Sequence, residues 1–265
     1  MPPPQFGVVG LGRMAQALLT PLLEAGVVPS DAVRAAVASQ ASADRLRALH
    51  RFKVDTDARE AWAAPVVLLA VKPQQLDAVA AAVPSGSSGL LISVLAGVSL
   101  ERLQKLLPTW RCVRAVPNTP ALVRSGLTGL AYAASVTSEE RRWVEELFGL
   151  VGEVFELPEA QLDAFLALTS SGPAFVALVA EAMADGAVAA GLPRLLAHRL
   201  AHRTLAGTAA LLDRQQLHPG QLKDMVGSPA GTTMAGLREL ERAGLRSALL
   251  EAVLRAAERS RELSG

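Results

Sequence analysis

Phe6-Gly7-Val8-Val9-Gly10-Leu11-Gly12-Arg13-Met14-Ala15 decides the reading of the first half of the chain. A β-branched run leads straight into a Gly-x-Gly-x-x-Ala turn, and an Ala/Leu-rich amphipathic segment follows to about Ala25, with Gly26 as its cap. Strand, turn and helix in that order form the first crossover of a dinucleotide-binding α/β fold. Gly10 permits the tight turn, Gly12 lets the backbone approach a diphosphate, and Ala15 allows close helix packing. The first amides of the helix then face the phosphates.

Outward from that turn, β-branched runs at 6–10, 33–39, 52–54, 66–71, 90–94 and 111–116, with weaker ones at 129–132 and 153–157, alternate with amphipathic segments. This is the pattern of a parallel sheet covered by crossover helices. After Pro158 the strand signal stops, and helical patterning runs on between Gly172-Pro173, Gly191-Leu192-Pro193, His218-Pro219-Gly220 and Ser228-Pro229. The fold class is therefore α/β then all-α: a Rossmann-type parallel sheet over 1–158 and a helical domain over 159–265.

The 265 residues carry 26 Lys and Arg against 25 Asp and Glu, a net charge of +1, so no field of one sign favours nucleic acid. Unbroken apolar runs such as 66–71 are too short to span a bilayer. Residues 1–5 have neither a basic nor an apolar leader pattern, and a cytoplasmic protein is expected. Cys112, the single cysteine, sits in a strand-like setting and reads as a buried, inert thiol. Residues 172–191 are apolar nearly all round, which predicts cover by other helices, those of a second subunit by preference.

Chemistry is concentrated at the carboxyl ends of the predicted strands. The second strand ends at Ala38-Ser39-Gln40-Ala41-Ser42 with no carboxylate for ribose hydroxyls. Ser39 and Ser42 are either donors to a 2′-phosphate, which favours NADPH over NADH, or helix caps. Lys72 and Asn118 follow strands at ligand-facing positions; Lys72 faces either cofactor or solvent, and Pro73 is explained by its place at a helix start. Late in the chain, Ser228, Gly231, Thr232 and Thr233 gather at another helix start. They make either a carboxylate site or a ligand-free N-cap cluster.

Together these residues resemble pyrroline-5-carboxylate reductases over essentially the whole chain. The resemblance is carried by residues 9–15, Ala70-Val71-Lys72-Pro73-Gln74, Ala96-Gly97-Val98, Val116-Pro117-Asn118-Thr119-Pro120-Ala121-Leu122, Ser171-Gly172-Pro173-Ala174, Ala190-Gly191-Leu192-Pro193 and 228–237. It implies reduction of Δ1-pyrroline-5-carboxylate to L-proline with a hydride from NADPH or NADH, without a metal, by a helical-domain dimer or a ring of dimers. Gly10, Leu11, Gly12, Arg13, Met14, Ser39, Asp57, Ala70, Val71, Lys72, Pro73, Ala96, Gly97 and Asn118 are then expected at the cofactor. Ser228, Gly231, Thr232 and Thr233 are expected at the substrate, with Thr233 the donor to the imine nitrogen. The sequence departs from the family's usual residues at Arg13, Thr169-Ser170, Phe175, Gly227, Ala230 and Asp57, the last standing where an Asn near the adenosine ribose is common.

Two other readings compete. A β-hydroxyacid-dehydrogenase-like enzyme has a similar glycine turn but needs a lysine on its long helix, and Lys223 is the only lysine after residue 158. A non-catalytic dinucleotide-binding protein would have no use for the hydroxyl-rich cluster at 228–233.

Overall fold

The short connections between strands leave little choice of topology. In the computed structural model, which describes residues 6–264, eight strands form one sheet: β1 (Phe6–Val9), β2 (Val33–Ala36), β3 (Lys53–Asp55), β4 (Val66–Leu69), β5 (Gly89–Ser93), β6 (Trp110–Val116), β7 (Gly126–Tyr132) and β8 (Gly152–Glu156). Their order is β3-β2-β1-β4-β5-β6-β7-β8. The first six are parallel, as crossover helices require: α1 (Arg13–Glu24), α2 (Gln40–Leu49), α3 (Arg59–Trp62), α4 (Leu76–Ala81) and α5 (Leu100–Leu106) supply the returns. β7 runs antiparallel to β6, in contrast to the all-parallel expectation, because only a single-turn helix, Thr119–Val123, separates the two strands. A crossover through α6 (Ser138–Gly149) then sets β8 parallel to β7. The capping box of Thr137 and Glu140 fixes the start of α6.

The core lies on both faces of this sheet. Val8, Val67, Leu91 and Val113 of the central strands are fully buried, and Trp62 meets Trp110 edge-on at 5.4 Å. Several strands end earlier than the apolar runs do. Gly10 adopts φ +92°, which no strand continues through, and β2 stops at Ala36 while Val37 still donates to Asp55 O at 2.9 Å.

The helices that follow are α7 (Leu162–Thr169), α8 (Gly172–Ala189), α9 (Arg194–Arg214), α10 (Pro219–Val226), α11 (Thr232–Arg242) and α12 (Leu245–Ser264). The chain divides into two compact units, one of residues up to Ser170 together with those from Ala256 onward, the other Ser171–Arg255. α7 belongs to the first, packed on β6 and β7, with Leu162 and Ala167 fully buried. In the second, α8 packs on α9 through Ala184, Ala197 and Ala201, while Val176, Leu178, Met183, Leu195 and Leu200 are exposed.

Residues 159–189 are long and apolar enough to cross a membrane by length and composition, which contrasts with the apolar runs weighed in the sequence. That stretch is broken between α7 and α8, and α7 is already committed to the sheet. The absence of a leader pattern in residues 1–5 concerns positions outside the described residues.

Candidate active site

Strands to one side of β1 are β2 and β3, and to the other β4, β5 and β6, so the chain reverses its winding direction between β1 and β4. Loops leaving the two strands part there and open a crevice at their carboxyl ends. The crevice is a cleft of about 740 Å³, walled by the β1 turn (Val9, Gly10, Leu11, Gly12), the end of β2, one face of α2, the loop after β3, and the segment from Ala70 to Ala82.

Gly10 donates its amide to Ala36 O at 2.9 Å, and a side chain there would lie 2.6 Å from Ala70 O, so the two loops meet backbone to backbone. Gly12 differs: a Cβ on it would meet nothing within 4 Å, and the residue lines the cleft. The vacant space beside its backbone is what a diphosphate needs. α1 begins at the next residue with Gly12 as N-cap and no side-chain cap, leaving its first amides available. A dinucleotide fits these residues.

Of the predicted cofactor residues, Gly10, Leu11, Gly12, Asp57, Ala70, Val71 and Lys72 line the cleft. Arg13 and Met14 open α1 beside it, Pro73 opens a single-turn helix, and Ser39 is the N-cap of α2, accepting from Ser42 N at 3.3 Å. Ala96 and Gly97 lie in the turn after β5, where Gly97 abuts Leu263 near the end of α12.

Asn118 is buried, and its amide is taken on both sides. Nδ2 donates to Thr169 O at 2.9 Å and Oδ1 accepts from Leu127 N at 2.8 Å. Its side chain clamps the loop after β6 to the end of α7 and the start of β7 and does not wall the cleft. Ser170 Oγ adds a bond to Pro117 O at 3.2 Å.

The cleft also contains residues that the sequence did not single out: Arg45 and Leu46 on α2, Arg59 and Trp62 of α3, and Ala78, Val79 and Ala82 at and beyond α4. Two nitrogens of Arg59 hold Asp57 Oδ2 at 2.6 and 2.7 Å. Hydrogen bonds from the Arg59 side chain and then its backbone amide keep the Asp57 carboxyl below the ordinary carboxylate range.

The other hydroxyl-rich cluster is a tight turn between α10 and α11. Gly231 N donates to Ser228 O at 2.9 Å, Ala230 takes φ +58°, and a Cβ on Gly231 would lie 2.2 Å from Ser228 Oγ. α11 begins at Thr232 with Gly231 as N-cap and no side chain capping it. Thr233 is partly buried in its first turn, and the uncapped amides there suit an anion. Among the described residues no group of three or more His, Cys, Asp and Glu is placed to hold a metal ion.

Residues 159–263 match the family model for pyrroline-5-carboxylate reductase dimerisation, and residues 5–97 match that for NADP oxidoreductase, coenzyme F420-dependent. The pyrroline-5-carboxylate reductase of Synechocystis is 44% identical over 98% of both chains. The chain belongs to the pyrroline-5-carboxylate reductase family. The enzyme of Methanosarcina acetivorans is 40% identical over 98% of this chain and 97% of its own. Two solved pyrroline carboxylate reductases share the fold. That of Plasmodium falciparum, with NADP bound, has a TM-score of 0.90 and 27% identity over 100% of both chains. That of Coxiella burnetii has 0.86 and 31% over 99% of both. In this chain the oxidoreductase model covers the glycine turn, Ser39, Asp57 and residues 70–73. The dimerisation model covers the whole turn at 228–233.

Proposed function

We propose that the chain reduces Δ1-pyrroline-5-carboxylate to L-proline with NADPH, NADH serving as a second donor, as the last step of proline synthesis. The observation that carries this reading is the pairing, in a member of this family, of an open glycine-turn cleft with an uncapped, hydroxyl-flanked helix start at 228–233.

NADPH, when bound, supplies the hydride. Gly10 and Gly12 let the backbone approach its diphosphate, and the first amides of α1 neutralise part of that charge. Residues 70–73 wall the other side of the cleft, with Lys72 adding a cation. Ser228 and the free amides of Thr232 and Thr233 hold the substrate carboxylate. Thr233 Oγ donates a hydrogen bond to the imine nitrogen, drawing electron density from the carbon that is reduced, and one proton taken up from water by that nitrogen completes the amine, so that imine, NADPH and a proton give proline and NADP+. Positioning carries most of the rate, since an imine so polarised needs neither nucleophile nor metal.

The functional division at Pro158, into a cofactor part and a substrate and dimerisation part, belongs to the same proposal. So does self-association as a dimer or a ring of dimers, supported by the exposed apolar faces of α8 and α9. A cytoplasmic location without membrane or nucleic-acid partners completes the reading, supported by a lone buried thiol and a balanced charge.

The deciding assay follows nicotinamide absorbance. Oxidation of NADPH must require Δ1-pyrroline-5-carboxylate and yield proline in equal amount; turnover of a hydroxy acid in its place would transfer the chain to the dehydrogenase reading.

A further inference from the structure

We propose that Arg45, assisted by the Asp57–Arg59 ion pair, selects a dinucleotide carrying a 2′-phosphate. This rests on the NADPH reading above and names the residues that would make the choice.

The selecting end of the cleft lies where β2 and β3 finish side by side. Ala36 pairs with Asp55, and Val37 N donates to Asp55 O at 2.9 Å, so the loops after both strands face one space. Discrimination against a phosphate at that end ordinarily comes from a carboxylate at the tip of the second strand, which takes the ribose hydroxyls and repels added negative charge. Here that tip is Ala36-Val37-Ala38, with Ser39 occupied in capping α2.

One carboxylate does line the cleft, Asp57, against three cations, Arg45, Arg59 and Lys72. By itself Asp57 would repel a phosphate dianion. Arg59 removes that obstacle by holding Oδ2 with two nitrogens. Arg45 stands otherwise: it is exposed on α2, lines the cleft one helical turn after Ser42, and has no ion-pair or hydrogen-bond partner among the described residues. An unpaired guanidinium presents a planar fork that matches phosphate oxygens two at a time. The charge left uncompensated at this end of the cleft is therefore that of Arg45.

The test is calorimetric titration of the full chain with 2′-phospho-ADP-ribose and with ADP-ribose, ligands that differ only in the phosphate and require no turnover. Wild type binds the phosphorylated ligand more tightly. Arg45→Ala weakens it about tenfold to a hundredfold, the range of a charge-assisted contact, and leaves ADP-ribose within about twofold. Arg59→Ala exposes Asp57 and weakens the phosphorylated ligand about tenfold, and adding Asp57→Asn restores it.

Equal affinity of wild type for both ligands, or an Arg45→Ala variant that loses both alike, overturns the proposal while leaving the dinucleotide cleft in place. Failure of Asp57→Asn to restore binding removes the role of the ion pair. Wild type that binds neither ligand overturns the NADPH reading itself. Circular dichroism of each variant separates lost binding from lost folding.

Discussion

Gly10 and Gly12 stand two residues apart in one turn and answer to different constraints. Gly10 needs its left-handed φ of +92° and the close approach of Ala70 O, so Gly10→Ala meets both strain and a collision. The strain alone costs about 1–3 kcal/mol, and the thermal midpoint should fall by roughly 5 °C or more. Gly12 has φ −78° and open space beside it, so Gly12→Ala should keep the wild-type midpoint and weaken NADPH about tenfold by filling room meant for the diphosphate. Equal thermal losses in the two variants would contradict this division of labour. Thr233 is tested by Thr233→Val, which keeps shape and deletes the donor. A hydrogen bond to a group gaining charge contributes about 1.5–3 kcal/mol, so turnover should drop about tenfold to a hundredfold, with Thr233→Ser recovering most of it. A valine variant within about twofold of wild type would reduce Thr233 to a helix-start residue. The two glycines were legible in the sequence because a Gly-x-Gly spacing between strand and helix has few other uses. Arg45 and Arg59 were not, since a charged residue on an amphipathic helix has the same pattern whether it faces solvent or a cleft.

At the scale of elements, β-branched runs announced all eight strands and the parallel direction of the first six, but neither the ends of the strands nor the reversal at β7. Ends depend on where the backbone must peel away to shape the cleft, and direction on what joins the strands. The proline-bracketed connection from Val116 to Gly126 is too short for a crossover helix, and that is the signal by which β7 is antiparallel. Asn118 lies in this connection, and its position after a strand suggested a cofactor contact. Its two bonds, to Thr169 O and from Leu127 N, instead tie three elements together. Asn118→Ala leaves the buried Thr169 O and the part-buried Leu127 N without a partner, a loss of about 2–4 kcal/mol, and should lower the thermal midpoint by roughly 5–10 °C with NADPH affinity within about twofold. An unchanged midpoint with weakened NADPH would return Asn118 to the cofactor. Cys112 on β6 is fully buried, and burial pushes its thiol up to about 12. It should resist a disulfide reagent at pH 8 in the native protein and react in full on denaturation. Rapid native labelling would mean that β6 opens locally.

The whole molecule shows an imbalance between its two compact units. The sheet unit buries a continuous apolar core, including Leu18, Leu69, Ile92 and Phe148, whereas the buried apolar residues of the unit Ser171–Arg255 are four alanines, Ala180, Ala184, Ala197 and Ala201. Four alanines release too little apolar surface from water to offset the entropy of ordering several long helices. The missing apolar area is visible on the outside: Leu195 is 88% exposed and Leu178 66%, beside Val176 and Met183, which lie seven residues apart and so on one face of α8. The sequence showed that these faces are apolar; helical periodicity contains no information on what covers them. If a second copy covers them, folding and association are one equilibrium, and the thermal midpoint must rise with protein concentration. Between about 0.5 and 50 μM the mass-action term amounts to RT ln 100, about 2.7 kcal/mol per dimer, enough to move the midpoint by several degrees. Light scattering over that range should give at least twice the chain mass. Val176→Glu with Met183→Glu places two charges on the α8 face, and this double variant should lose both the higher mass and the concentration dependence, with its helical signal melting at lower temperature. A wild-type monomer with a concentration-independent midpoint would show that the apolar faces are covered within one chain.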